Sequence, residues 1–159
     1  MNRLRDIGED ALIDRLTRLV PRADVAAGGP GDDCPVVDSG TPTLQLLKRD
    51  ALVEHIHFLP EASPRAVGWK AIARVVSDFA AMGGKPEHFL VTLALAGSVE
   101  VSWIEDVYRG MGDCLGKFGA LLAGGETSSV PEGSAAVISI AATGSVAREH
   151  LVLRSTASP

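Results

Sequence analysis

Residues 63–84, SPRAVGWKAIARVVSDFAAMGG, read as one amphipathic helix, and the rest of the chain can be placed around it. Ser63 stands at the N-cap position and Pro64 at the first helical position, where a missing N–H costs nothing; Gly83 and Gly84 supply the stop. Ile72, Val75, Val76, Phe79 and Met82 recur on one face at helical spacing, so the segment needs an apolar layer to lie on. Lys70 and Arg74 fall opposite that stripe and read as solvated charges. Asp78 lies at its edge, facing neither fully in nor fully out.

The segments on either side supply the layer. CPVVDS (34–39) and TLQLLKRD (43–50) have strand composition and are separated by turn residues around Gly40 and Pro42, which predicts a hairpin or neighbouring strands. HFLVTLALAG (88–97) is a strong strand, and AAVISIAATGSVA (135–147) is a β-branched run suited to the sheet centre. Between them VSWIEDVYRGMGDCLGKFG (101–119) is helical, with Trp103, Val107, Met111, Leu115 and Phe118 on one face and Asp106 and Asp113 on the wet side. ALLAGGETSS (120–129) reads as a strand running into a glycine turn. Near the start, Gly8-Glu9-Asp10 opens a helix that carries Leu12, Ile13, Leu16 and Leu19, and Pro21 stands where it should end; a Gly/Pro-rich loop follows.

The resulting order is helix, strand, strand, helix, strand, helix, strand, strand, an α/β or α+β layer architecture in a single domain. Three helices cannot cover both faces of four or five strands. The imbalance points to a partner for the bare face, which could be a second copy.

Composition narrows the function. In 159 residues the formal net charge is −5, which argues against a sequence-independent grip on nucleic acid. No apolar run approaches the roughly 20 residues that span a bilayer, so no membrane partner is expected, and the chain reads as soluble and cytoplasmic. Cys34 and Cys114 are too few and too far apart for a disulfide framework or a zinc site, and read as small apolar residues. There is no G-x-x-x-x-G-K-[ST] loop, and no G-x-G-x-x-G follows a strand.

Carboxylates in apolar surroundings are therefore the candidates for chemistry. Asp32 and Asp33 share a glycine loop just before a strand, a pattern that also suits an ordinary turn. Asp50 ends an apolar strand and Asp78 interrupts an apolar helix, positions that are costly unless the charge is paired or bound to a cation. Glu126 follows Gly124-Gly125 at a strand end, where backbone without Cβ atoms can approach a ligand. Hard oxygen ligands from separate segments are what magnesium bridging polyphosphate requires.

In this order, GEDALIDRL (8–16), GDDCPVV (31–37), RDALVEHIHF (49–58), GWKAIARVVSDFAAMGG (68–84) with Pro86, and GGETSS (124–129) resemble the successive motifs of thiamine-monophosphate kinases. Their superfamily includes aminoimidazole ribonucleotide synthetase, selenophosphate synthetase and a hydrogenase maturation factor. The resemblance implies an ATP-binding N-terminal domain over residues 1–159, without the family's C-terminal substrate domain. It further implies a homodimer in which strands of both copies close a barrel, with nucleotide and magnesium near the interface. Asp32, Asp33, Asp50, Asp78 and Glu126 are then metal ligands, Asp32, Asp50 and Asp78 being catalytic, and Gly124, Gly125, Glu126, Thr127 and Lys48 are nucleotide-binding. The reaction implied is direct in-line transfer of the γ-phosphoryl of ATP to thiamine monophosphate. A non-catalytic dimerisation or nucleotide-binding module is the alternative from another class, and a sibling synthetase the alternative within the superfamily.

Two departures from the family pattern bear on this. Lys48 and Arg49 stand where hydroxyl residues are usual; strand alternation puts Lys48 on the side of Asp50, where it could bind phosphate or neutralise that acid. Glu126 replaces an aspartate, which adds a methylene of reach. His55 and His57 alternate on a strand-like stretch; no third ligand makes them a zinc pair, and His57 could touch substrate or interface. Trp69 and Trp103 read as core.

Overall fold

The computed structural model describes residues 3–21, 27 and 32–156. It has α1 (Glu9–Thr17), β1 (Val36–Val37), β2 (Thr43–Val53), α2 (Pro64–Ala81), β3 (Lys85–Ala96), α3 (Val101–Phe118), β4 (Leu121–Val130) and β5 (Val137–Ala147), the order expected. The expected Gly/Pro loop falls largely outside the described residues.

The five strands form one mixed sheet in the order β1-β2-β5-β3-β4, with β5 central and only the β3–β4 pair parallel. Alternation along the strands sends Leu44, Leu46 and Leu52 of β2, Phe89, Val91 and Leu93 of β3, and Ile138 and Ile140 of β5 to one face, all buried. That face carries α2, whose Ile72, Val75, Val76 and Phe79 are buried as the helical period requires, with Met82 buried just past its end. The other face keeps Leu47 and Leu90 at 37% and 50% exposure. Among the described residues, the bare face foreseen from the helix count is therefore present.

α3 packs on α2 with backbone against backbone. A Cβ on Gly68 would lie 1.8 Å from the Val107 carbonyl oxygen, and one on Gly110 would lie 1.9 Å from that of Arg65. Side chains at these positions would push the helices apart. The stop of α2 is equally constrained: Gly83 has φ +73°, and a Cβ there would meet the His150 carbonyl. Ser63 occupies the N-cap position, yet its side chain makes no capping bond; its carbonyl accepts from Val67 N–H.

Three expectations need correction. β4 does not end in a glycine turn: the strand runs through Gly124 and Gly125, because a Cβ on Gly125 would lie 2.2 Å from the Val91 carbonyl oxygen of β3. The close approach made by this glycine is to its neighbouring strand. His55 and His57 do not alternate on a strand, since β2 ends at Val53, His55 takes φ +65°, and His57 Nδ1 accepts from Val53 N–H at 3.0 Å. Finally, α1 ends at Thr17, short of Pro21; none of its residues is buried, Leu16 being 51% exposed, and Leu19 lies beyond it at 75%.

Candidate functional site: a charge ladder between a strand and a helix

β2 and α2 place four charges opposite one another. Lys48 and Asp50, two apart on β2, point toward the helices in the same register as Leu46 and Leu52. Arg74 and Asp78, four apart on α2, share one face of that helix. The two elements run past each other so that Lys48 Nζ meets Asp78 Oδ2 at 2.7 Å, while Arg74 binds both oxygens of Asp50, Nε at 2.9 Å and Nη2 at 3.2 Å. Side-chain exposure of 20% for Lys48 and 22% for Asp78 makes theirs the more enclosed pair.

The ladder extends to the Asp32-Asp33 loop. Lys48 Nζ also donates to the Asp33 carbonyl at 3.0 Å, so one ammonium joins the loop, β2 and α2. From the far end of the chain, Arg154 N–H donates to Asp32 Oδ1 at 3.0 Å and its guanidinium to Asp33 Oδ1 at 2.5 Å. Donating this hydrogen bond to Asp33 holds that guanidinium more firmly protonated. Behind the loop the buried Cys34 thiol is pushed up to about 11, chiefly by burial, with Lys48 opposing the shift. It stays a neutral apolar group, as the sequence suggested.

Asp32, Asp33, Lys48, Asp50 and Asp78 are thus brought to one region. Glu126 is not. It lies opposite Thr92 in the β3–β4 register, Thr92 lies opposite Ser139, and Ser139 opposite Ala51, all on the bare face. β2 and β4 are three strand spacings apart, about 14 Å, and Glu126 projects on the opposite side of the sheet from Asp50. It accepts from Ser128 Oγ at 2.9 Å. Thr127 alternates to the helix side, opposite Leu93. Among the described residues no three His, Cys, Asp or Glu side chains are grouped closely enough to hold one metal ion.

Arg74 and Lys48 pair otherwise than their sequence reading. Arg74, expected in solvent, lies on Asp50; the signal was available, because a Lys-x-Asp strand facing an Arg-x-x-x-Asp helix pairs naturally when the two run antiparallel. Arg154 gave no signal, since nothing local ties residue 154 to residue 33. Lys48 does lie beside Asp50 but spends its charge on Asp78. Trp69 and Trp103 pack at the core margin, Trp103 against Phe58 with ring centroids 6.5 Å apart.

The bare face has its own concavity, a hollow of about 440 Å³ whose lining includes Leu47, Arg49, Leu90, Ala123, Ala141 and Thr143. Its walls are overwhelmingly apolar, unlike the ladder. No helix among the described residues is long and apolar enough to cross a membrane.

Comparison with known proteins adds the following. The family described as "AIR synthase related protein, N-terminal domain" matches residues 31–146. The thiamine-monophosphate kinase of Synechococcus elongatus is 34% identical over 155 residues, 97% of this chain and 45% of that protein. That of Aquifex aeolicus is 40% identical over 109 residues, 69% of this chain and 34% of that protein. The solved structure "AaThiL complexed with AMPPCP and TMP" superposes with a TM-score of 0.87 at 34% identity, over 99% of this chain and 48% of that one. The chain therefore spans less than half the length of the relatives it matches.

Proposed function

The chain belongs to the AIR synthase related protein family, as its N-terminal domain, and from that premise we propose that it is the ATP- and magnesium-binding part of a thiamine-monophosphate kinase-like protein. The observation that carries the reading is the superposition of nearly the whole chain on a structure named for AMPPCP, an ATP analogue, and TMP, taken with the gathering of Asp32, Asp33, Asp50 and Asp78 on one side of β2. The reaction proposed for the longer protein is direct in-line transfer of the γ-phosphoryl of ATP to thiamine monophosphate. Catalysis then consists of positioning and charge neutralisation rather than covalent chemistry on the protein.

The residues fit magnesium unevenly. Bound magnesium would supply the positive charge that offsets a triphosphate on an acidic protein. Its preference for hard oxygen suits every candidate ligand. Asp32 and Asp33 are held by the backbone and guanidinium of Arg154, whose side chain is 64% exposed, so water can take over its countercharge and that pair fits. Asp50 and Asp78 have their charges answered by Arg74 and Lys48, and serve as ligands only where those partners give way.

Gly124, Gly125, Glu126 and Thr127 form the second part of the proposed site. Glu126 faces the bare side, so its contribution depends on a second copy closing over that side as a homodimer. Exposed Leu47 and Leu90 and the apolar hollow between them favour such a pairing. The competing reading, a nucleotide-binding module without transfer activity, is favoured by the neutralised state of Asp50 and Asp78.

Calorimetric titration of the chain with AMPPCP, with and without magnesium, tests the proposal. Micromolar to sub-millimolar binding that needs magnesium is expected; no heat at millimolar nucleotide would defeat the reading. Formation of thiamine diphosphate by the longer protein separates kinase from module.

A further inference from the structure

The Lys48 ammonium has the surroundings of a bound cation. Its two oxygen partners, Asp78 Oδ2 at 2.7 Å and the Asp33 carbonyl at 3.0 Å, come from different elements, as metal ligands commonly do. Four-fifths of the side chain is withdrawn from solvent, and the stem runs from β2 beneath the loop. A divalent ion on the same Asp78 oxygen would need to sit about 2.1 Å from it, against the ammonium. An ion on the other oxygen would face an enclosed like charge a few ångströms away, little screened by solvent.

We infer that Lys48 is a built-in substitute for a divalent cation: its ammonium joins Asp78 to the Asp32-Asp33 loop, and Asp78 takes no metal ion while Lys48 is present. The inference rests on the magnesium and nucleotide reading above and narrows it, leaving Asp32 and Asp33 as the metal-accepting pair. Arg74 supports the arrangement by answering Asp50 one step along the ladder, so that neither acid on this face depends on a metal ion for its countercharge. Lys48 is a positioning residue here: it sets where the loop carrying Asp32 and Asp33 stands.

The test is Mn2+ binding to the whole chain without nucleotide, followed by electron paramagnetic resonance, for wild type, Asp78→Asn, Lys48→Ala and Lys48→Ala/Asp78→Asn. Wild type and Asp78→Asn are expected to bind the same number of ions with affinities within twofold. Lys48→Ala is expected to gain one ion per chain, and the double variant to lose it. The inference is overturned if Asp78→Asn alone loses an ion, or if folded Lys48→Ala gains none. Should Lys48→Ala fail to fold by circular dichroism, the wild-type and Asp78→Asn pair decides alone. Because nucleotide is absent, these outcomes are independent of whether AMPPCP binds, so this inference and the broader reading can fail separately.

Discussion

The β2–α2 ladder and the β4 edge each carry acids proposed for the same site, yet the fold treats them oppositely. Asp50 and Asp78 point into the seam between sheet and helix, and each meets a base. Glu126 lies exposed on the bare face of an edge strand, with Ser128 as its hydrogen-bond partner. An acid in a seam must be neutralised within the chain, because burying an unpaired charge is expensive. An acid at an open edge incurs no such cost and keeps its charge for whatever arrives. The ladder is thus organised before any ligand, whereas the edge depends on an outside partner.

The ladder stands or falls with the position of α2, so the largest effect is expected from dislodging that helix. Gly68→Val forces two methyl groups and a Cβ into the Val107 backbone, which no rotamer avoids. A loss of about 3 kcal/mol is expected, with a fall in Tm of roughly 10 °C. Thermal unfolding followed by circular dichroism measures it, and a shift under 2 °C would mean that the two helices are not in backbone contact.

A smaller break is available at the other region. Gly125→Ala puts a Cβ 2.2 Å from the Val91 carbonyl, while Gly124→Ala puts one 3.4 Å from the tip of Leu90, an ordinary contact. The first should cost about 1–3 kcal/mol and the second no more than about 0.5 kcal/mol. Urea midpoints that rank the two alike would refute the claim that Gly125 is a packing glycine.

These contrasts explain what could be read from the sequence. Period and caps located α2 and β5, because an 18-residue helix and an 11-residue β-branched strand carry many agreeing signals. Asp78 at the stripe edge and Lys48 on the side of Asp50 followed from periodicity alone. Partner choice needed more than strand alternation, which says which way Lys48 points but not whether it answers Asp50 beside it or Asp78, the single acid of α2; that depends on the helix–strand register. Gly124-Gly125 misled for a related reason. Glycines mark close approach as well as turns, and only the paired strand distinguishes the two. Glu126 joins the other acids in the sequence because it follows two glycines at an apolar strand end, and neither that position nor motif order carries information about the face of a sheet.

Neutralising one acid from each region sharpens the comparison directly, and the effects are the smallest expected here. Asp50→Asn removes the charge that Arg74 answers at 2.9 and 3.2 Å, although the amide can still accept from Ala51 N–H as the carboxylate does. The Arg74 side chain is 37% exposed, so solvent already screens the pair, and the loss should be about 1 kcal/mol or less. Glu126→Gln gives up only a contact to Ser128 and should stay within about 0.5 kcal/mol of wild type. Salt separates the causes: at about 0.5 M NaCl the Asp50→Asn deficit should shrink, since it is electrostatic, while Glu126→Gln should not respond. Equal urea midpoints for the two variants at low salt would mean that the seam gives Asp50 no more support than the open edge gives Glu126, and the distinction between a prepaid and a waiting carboxylate would lose its basis.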